Sequence, residues 1–170
     1  MSRSPSRDFL IARKLGPISD ERLEFEILFD DSYVVAAGAQ SPWARRRRIE
    51  LDELVNASWV LPPLDSGTGS LAIEAFRASG LDSPLVTAVS ATAQVRAALT
   101  ATGRVLTILP ASALRLPARR SELKVLPVEL PMARVPVGIV TIKNRTLGAA
   151  VRLFLEQARD VARPLSKRKS

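Results

Sequence analysis

The chain contains no cysteine and no histidine among its 170 residues. Without cysteine it can form no disulfide, and nothing in the composition indicates secretion. The same absences exclude Cys-His and Ser-His catalysis, and zinc sites built from soft ligands. Only Ser-Lys and carboxylate schemes remain, and the sequence carries no paired-carboxylate motif and no nucleophile elbow. We therefore expect a protein that is not an enzyme and that holds neither a metal nor a cofactor.

Long hydrophobic runs are also lacking. No apolar run approaches the length of a membrane span. The N-terminal sequence MSRSPSRDF has no apolar core of the kind that marks a signal peptide. Hydrophobic residues still make up 46% of the chain, which is enough for a packed core and excludes a disordered protein. The sequence thus predicts a cytoplasmic protein without membrane contact, folded as one domain or two small lobes.

Positive charge is in excess, with 25 basic against 17 acidic residues and a net charge of +8. Such a balance favours polyanions in a nonspecific way. The positive charge is nevertheless spread over several clusters, and only the first of them is dense. No aromatic residues are interleaved with that cluster for base stacking, which favours a solvated loop over a contact with DNA phosphate or a partner. The clusters are Arg45–Arg48, Arg119 with Arg120, Lys143 with Arg145, and Lys167–Lys169.

Strand patterns alternate with helix patterns along the chain, which predicts the α/β class, with βαβ units and a mostly parallel sheet. In the second predicted helix, Val95, Ala98, Leu99 and Thr102 fall on one face. In the last, Thr146 is the predicted N-cap, and Phe154 belongs to the face that we expect to be buried. The predicted strands are 8–13, 25–29, 32–37, 58–61, 85–89, 104–109, 123–128 and 136–142, and the predicted helices are 68–79, 92–102 and 146–162.

Five segments in succession carry a family resemblance. The last third, from Glu122 to Leu165, reads as a short strand, a longer apolar strand and an amphipathic helix. It is preceded by DFLIAR (8–13), by FEILFDDSYVVAAGAQSPWARRRRIELDELVNASWVLPP (25–63), by AFRASGLDSP (75–84) and by TGRVLTILPASALR (102–115). In order and spacing these segments resemble the effector-binding domain of LysR-type transcriptional regulators.

The resemblance implies a two-lobed, periplasmic-binding-protein-like (type 2) architecture in which the first lobe is truncated. Residues 7–39 and 131–163 correspond to a partial first lobe, residues 40–130 to the second lobe, and residues 164–170 to a basic tail. The family's N-terminal helix-turn-helix, its linker helix and the first two strand–helix units have no counterpart in the sequence.

The function implied by the resemblance is the sensing of a small, anionic effector between the two lobes, which controls transcription. Operator DNA is then a partner only through a helix-turn-helix absent here, and a homo-oligomer is possible. The alternative is a free-standing solute-binding protein of the same fold, against which the missing secretion signal counts.

Two predicted helix starts stand out as candidate binding positions. Ser66 and Thr68 follow the strand that ends near residue 61, and Ser90 and Thr92 follow the strand that ends at Val89. Parallel sheets place ligands at the carboxyl ends of their strands, where helix N-termini offer N–H groups to an anion. The alternative for each pair is ordinary helix capping. The resemblance favours the second pair as ligand contacts, because that turn commonly lines the family's effector cleft.

Arg13, at the end of the first predicted strand, is the candidate on the other side of the cleft that the resemblance implies. An arginine at that position could clamp a carboxylate in bidentate fashion. The alternative is a solvated strand end. Together, Arg13, Ser66, Thr68, Ser90 and Thr92 are the predicted contacts of the effector.

Overall fold

The computed structural model describes residues 8–115 and 121–166. Contacts divide these residues into two compact units. Unit 1 consists of the residues up to Asp31 and those from Arg134 onward, and unit 2 is Ser32–Ala133. The described helices are all too short or too polar to cross a membrane.

The described residues form eight strands, three α-helices and three short 3-10 helices. The strands are β1 (Phe9–Arg13), β2 (Leu23–Asp31), β3 (Tyr33–Gly38), β4 (Trp59–Leu61), β5 (Val86–Val89), β6 (Thr107–Pro110), β7 (Leu123–Val125) and β8 (Val135–Ile142). The α-helices are α1 (Gly67–Ala78), α2 (Ala93–Ala101) and α3 (Ala149–Ser166), and the 3-10 helices are Pro42–Arg45, Leu51–Leu54 and Ala111–Arg115.

Unit 1 is built on an antiparallel sheet with the strand order β1-β8-β2. The central strand β8 pairs with β1 on one side and with β2 on the other, so that Val140 lies opposite both Leu10 and Phe25. This central position explains its nearly continuous apolar sequence. Gly138 is required where the strands approach closely, because a Cβ there would collide with the Glu26 carbonyl oxygen and the Phe25 ring.

Helix α3 packs on β2 through a narrow apolar stripe. Leu155 and Ala162 are buried, and Val151, Ala158 and Leu165 flank them at helical spacing. The predicted burial of Phe154 is wrong, since this side chain is 51% exposed. The stripe is centred on Leu155, which leaves Phe154 at its border, where the ring lies 5.1 Å from that of Phe9.

The ends of α3 also differ from the prediction. The helix begins at Ala149, so Thr146 is not its N-cap, and it continues through Pro164 to Ser166. Residues 164–166, predicted to belong to a basic tail, are therefore the last turn of the helix. Lys167–Lys169 lie outside the described residues.

Unit 2 combines antiparallel and parallel strand pairs. Strand β3 lies between β6 and β7 and is antiparallel to both, and β4 and β5 are parallel. A parallel bridge between Trp59 and Leu106 connects β4 to β6, which gives the order β5-β4-β6-β3-β7.

The prediction of a mostly parallel sheet is thus wrong for both units. Parallel pairing occurs where strand and helix alternate, along β4-α1-β5-α2-β6. The strands outside that run pair antiparallel with their neighbours. Strand β3, predicted to lie in the first lobe, is instead the central partner of β6 and β7 in unit 2.

The core of unit 2 is organised around Trp59, which is fully buried. Its indole Nε1 donates a 2.8 Å hydrogen bond to the carbonyl oxygen of Leu54, and the ring meets Phe76 of α1 edge to face at 5.5 Å.

Helix α2 turns an unexpected face inward. Its buried residues are Arg96, Ala97 and Thr100, whereas the predicted apolar face is exposed at Val95, Ala98, Leu99 and Thr102.

Candidate functional site

The parallel part of unit 2 brings two helix starts to one edge of its strands. Leu61 and Val89, the last residues of β4 and β5, lie opposite each other. The N–H of Ser90 donates to the Leu61 carbonyl oxygen at 2.9 Å, which holds the two strand ends together. The chain then leaves β4 toward α1 and β5 toward α2. The four predicted hydroxyl residues of unit 2 therefore belong to one edge, the position at which α/β sheets bind ligands.

At the start of α1, Ser66 performs ordinary capping. Its Oγ accepts a hydrogen bond from the N–H of Gly69 at 3.1 Å and donates one to the carbonyl oxygen of Pro63. The Ser66 hydroxyl is thus engaged both as a donor and as an acceptor. The Oγ1 of Thr68 lies 3.4 Å from the hydroxyl of Tyr33, at the start of β3. Gly69 is required here because a Cβ would collide with the Pro63 carbonyl group.

The start of α2 differs from that of α1 in its N-cap residue. Thr92 occupies the N-cap position but makes no capping hydrogen bond. The Oγ of Ser90 accepts the N–H of Thr92 at 3.3 Å, one residue before the helix. The bond from the Arg96 N–H to the Thr92 carbonyl oxygen, at 3.1 Å, closes the first turn of the helix. The N–H groups that precede Arg96 in α2 have no intrahelical acceptor, so this end keeps its partial positive charge.

Arg96 lies beside this uncapped start and was not among the predicted site residues. It is 4% exposed, and its Nη1 donates to the carbonyl oxygens of Ser90 at 2.7 Å and Ala91 at 3.2 Å. Long side chains on a helix point toward its N-terminus, and this direction brings the guanidinium to the β5–α2 turn. An arginine inside a helical pattern is ordinarily taken as solvent-facing. Its position four residues after Thr92 was the signal that could have identified it.

The charge of Arg96 is poorly compensated. Burial lowers its pKa, and the phenol of Tyr33 offsets that effect in part. In the part of the chain that the structure describes, no carboxylate lies within ion-pair distance of Arg96, and its buried Nε has no hydrogen-bond acceptor. A buried donor left unsatisfied costs about 1–3 kcal/mol, and more when it is charged. The structure thus places a buried cation without a described counter-ion at the edge that carries the predicted hydroxyl residues.

Arg13, the predicted contact in unit 1, already holds a carboxylate. Its Nη2 donates to Oδ2 of Asp31 at 2.8 Å, and Asp31 is 4% exposed. The Arg13 side chain is therefore held in an ion pair and is not a solvated strand end. A contact between Arg13 and an effector stays a prediction.

The dense basic cluster is partly neutralised by its neighbours. Arg46 pairs with Glu53 and Arg48 with Glu50, both at 2.8 Å. These pairs support the interpretation of Arg45–Arg48 as a solvated loop. In the third cluster Arg145 pairs with Asp8 at 2.7 Å. Arg119 and Arg120 lie outside the described residues.

The most apolar cavity described lies elsewhere, in unit 1. A groove of about 360 Å³ runs between α3 and the sheet, bordered by Ile11, Phe29, Val137, Phe154 and Val161, among others. None of the predicted site residues lines it. No charged residue lines the groove, so it is not suited to binding an anion. It is an exposed apolar surface between the helix and the sheet. Among the described residues, no cluster of acidic side chains could hold a metal ion.

Comparisons with known proteins agree on one family. The family described as "LysR substrate binding domain" matches residues 6–163. The transcriptional dual regulator GltC of Bacillus subtilis (strain 168) is 28% identical over 144 residues, which is 84% of this chain and 47% of that protein. The chain thus spans about half the length of this curated relative.

Two similar solved structures show the same fold. The first is the regulatory domain of CcmR from Synechocystis PCC6803 in complex with 2-PG, with a TM-score of 0.72 at 20% identity, over 91% of this chain and 73% of that one. The second is the effector-binding domain of QuiR in complex with shikimate, with a TM-score of 0.68 at 19% identity, over 94% of this chain and 73% of that one.

Proposed function

The chain belongs to the LysR substrate-binding-domain family, and from this premise we propose that it senses a small anionic effector for a LysR-type transcriptional regulator. Membership confirms the predicted resemblance and the α/β fold of the periplasmic-binding-protein-like type 2 class. It also favours the sensing function over a free-standing solute-binding protein. The family consists of regulator domains rather than enzymes, in keeping with the lack of catalytic motifs. We further propose that unit 1 corresponds to part of the first lobe and unit 2 to the second.

The observation that carries this proposal is the edge of unit 2 at which β4 and β5 end and helices α1 and α2 begin. There the uncapped start of α2 lies close to hydroxyl groups of Ser90 and Thr92, and Thr68 lies at the neighbouring helix start. Hydroxyls and free helical N–H groups suit a small anion. Two similar domains were solved with a small molecule bound, 2-PG in one and shikimate in the other, which supports small-molecule recognition by this fold.

The proposed mechanism is a shift between conformations of the domain. A ligand changes such an equilibrium only through its different affinity for the two states. The DNA contacts of the regulator are proposed to come from a helix-turn-helix domain, and a homo-oligomer and a cytoplasmic location remain proposals as well. Light scattering at several protein concentrations tests the oligomeric state.

A thermal-shift screen tests the proposed effector site. The panel consists of carboxylic acids, phosphorylated acids and neutral sugars. A ligand present at 100 times its dissociation constant stabilises the folded state by about 2.7 kcal/mol, which a melting curve detects readily. We expect acids to produce such a shift and neutral sugars to produce none.

Variants locate the binding site of any ligand found. Thr68→Val and Thr92→Val each remove one hydroxyl from the edge, and we expect both to weaken binding. Thr102→Val is the matched control, because it removes a hydroxyl from the opposite end of α2. Arg13→Lys tests the predicted contact in unit 1 while keeping a cation beside Asp31. A ligand whose affinity is unchanged in all of the edge variants would show that the site lies elsewhere.

A further inference from the structure

We propose that unit 2 carries a second small-molecule site, for an organic acid with a flat apolar group, in a cavity away from the effector edge. The cavity has a volume of about 340 Å³ and lies where β4 and β6 begin, beside Ser58 and Leu106. Ligand pockets have volumes of roughly 300–1,000 Å³. None of the predicted effector contacts lines this cavity, so the inference goes beyond the proposed function and does not depend on it.

Close backbone packing fixes the walls of the cavity. A Cβ on Gly38, at the end of β3, would collide with the carbonyl oxygen of Thr100 and the nitrogen of Gly103. The end of β3 is therefore held directly against the end of α2. Gly103 has a φ of 79°, a conformation that glycine adopts without strain, and it turns the chain from α2 toward Arg104.

A buried hydroxyl group borders the cavity at Ser41, which is only 2% exposed. Ser41 occupies the N-cap position of the 3-10 helix Pro42–Arg45, but its side chain makes no capping hydrogen bond. The described residues offer its Oγ no other partner. A buried hydroxyl without a partner is destabilising, and a polar ligand atom in the cavity would satisfy it.

The charge that is free to bind a ligand at this cavity is positive. Glu53, the acidic residue among those that line it, already accepts hydrogen bonds from Nη2 of Arg46 at 2.8 Å and from the N–H of Glu50 at 3.0 Å. Arg104 also lines the cavity, is exposed, and forms no ion pair within the described part of the chain. A free guanidinium beside a committed carboxylate favours an anionic ligand, and a carboxylate matches its geometry.

The half-buried indole ring of Trp43 gives the cavity an apolar wall. A flat apolar group packs well against such a ring. The side-chain amide of Asn56 adds a donor and an acceptor, neither of which is used by another described residue. Together these groups match a molecule with a carboxylate for Arg104, a flat group for Trp43 and a polar atom for Ser41.

Structural roles explain only part of this arrangement. A cation at Arg104 complements the negative end of the α2 dipole, and asparagine is common in turns such as that at Asn56. Neither role accounts for the buried hydroxyl of Ser41 at an N-cap position where it caps nothing. A ligand in the cavity accounts for it.

The two tryptophans make the site measurable on the wild-type chain. Trp43 lines the cavity, whereas Trp59 is fully buried and its indole N–H is bonded to the Leu54 carbonyl oxygen. The probes are sodium phenylacetate and its neutral counterpart phenylacetamide, titrated at constant ionic strength and followed by nuclear magnetic resonance. We expect phenylacetate to shift the Trp43 indole N–H and the Asn56 side-chain amide resonances along one saturable curve, and the Trp59 resonance to move much less. No saturable shift at Trp43, or an equal affinity for phenylacetamide, overturns the proposal.

Two variants with matched controls separate binding from folding. Arg104→Gln removes the free charge, and we expect phenylacetate to bind at least about tenfold more weakly, as for the loss of a hydrogen bond to a charged group. Arg47→Gln is its control, because it removes the same charge from the basic loop, which does not line the cavity. Ser41→Ala should weaken binding severalfold without lowering the melting temperature of the unliganded chain, since the hydroxyl has no partner there. Ser79→Ala removes a hydroxyl that donates to the Ala75 carbonyl oxygen, and it should leave binding unchanged.

The outcomes distinguish this inference from the proposed function. A response at Trp43 that Arg104→Gln weakens supports the second site, whatever the result of the effector screen. A response of the Ser90 and Thr92 amides in place of Trp43 would show that the acid binds at the effector edge, which supports the proposed function and overturns the second site. A lower melting temperature of Ser41→Ala without any loss of binding contradicts the role assigned to its hydroxyl.

Discussion

Replacement of Leu155 by alanine tests how helix α3 is docked in unit 1. The side chain is 2% exposed, so the change removes almost all of its packing and leaves a cavity against the sheet. Buried leucine-to-alanine changes cost about 2–5 kcal/mol. Leu153 is the matched control, since it is the same residue in the same helix and is 61% exposed. Leucine and alanine have similar helix propensities, so we expect Leu153→Ala to cost less than about 0.5 kcal/mol.

Urea unfolding followed by far-ultraviolet circular dichroism measures this difference. With a slope of about 1–2 kcal/mol per molar urea, Leu155→Ala lowers the midpoint of unit 1 by about 1–5 M. Tryptophan fluorescence gives an internal reference, because Trp43 and Trp59 both belong to unit 2. We expect the fluorescence midpoint to move less than the dichroism midpoint.

Phe154→Ala completes the series. Its ring is about half exposed and contacts Phe9, so we expect a loss of roughly half the 3–5 kcal/mol that a fully buried phenylalanine costs. Equal midpoint shifts for Leu153→Ala and Leu155→Ala would refute the reasoning, because they would show that α3 does not dock through the stripe centred on Leu155.

Three further predictions concern other parts of the chain. Trp59→Phe removes the buried donor to the Leu54 carbonyl oxygen and should cost about 1–3 kcal/mol, whereas a urea midpoint within error of wild type would contradict that bond. The ion pair with Arg159 lowers the pKa of Glu26 below its ordinary 4.5. The stabilisation of the fold by this ion pair is therefore present above pH 4.5 and is lost as the pH falls through the folded-state pKa of Glu26. Because the pair is half exposed, the advantage of wild type over Glu26→Gln should be at most about 1 kcal/mol at pH 6 and shrink toward pH 3, and a constant difference would contradict this sign. With a net charge of +8, the chain should bind duplex DNA weakly, with a steep dependence on salt and without sequence preference, and an anisotropy titration showing one preferred sequence at physiological salt would contradict this.

The sequence predicted the α/β class and the approximate positions of the strands because local signals carried them. The apolar run of β8 is an example. Whether strands pair parallel or antiparallel could not be predicted from local patterns, since it depends on which strands become neighbours. Strand β3 shows this, because only its pairing with β6 and β7 assigns it to unit 2.

Side-chain burial was predictable only where one face of a helix dominates. In α3 the apolar residues cover more than one face, and periodicity alone did not separate Leu155 from Phe154. In α2 the pattern was misleading, since the inward face carries Arg96. The sequence identified the hydroxyl residues at the two helix starts, because Ser and Thr are common there. It could not tell capping from ligand binding, since both use the same residue types. The distinction between a satisfied cap at Ser66 and an uncapped start at α2 required the hydrogen bonds themselves.

The discontinuity of unit 1 has a consequence for how the chain assembles during synthesis. Leu10 pairs with Val140, whereas unit 2 is a single stretch from Ser32 to Ala133. Contacts so distant in sequence form slowly, because a long loop must close first. Unit 2 can therefore fold on the ribosome while β1 and β2 still wait for β8. A ribosome that stalls before Val135 releases a folded unit 2 with two unpaired strands attached, and unpaired strands are a template for aggregation.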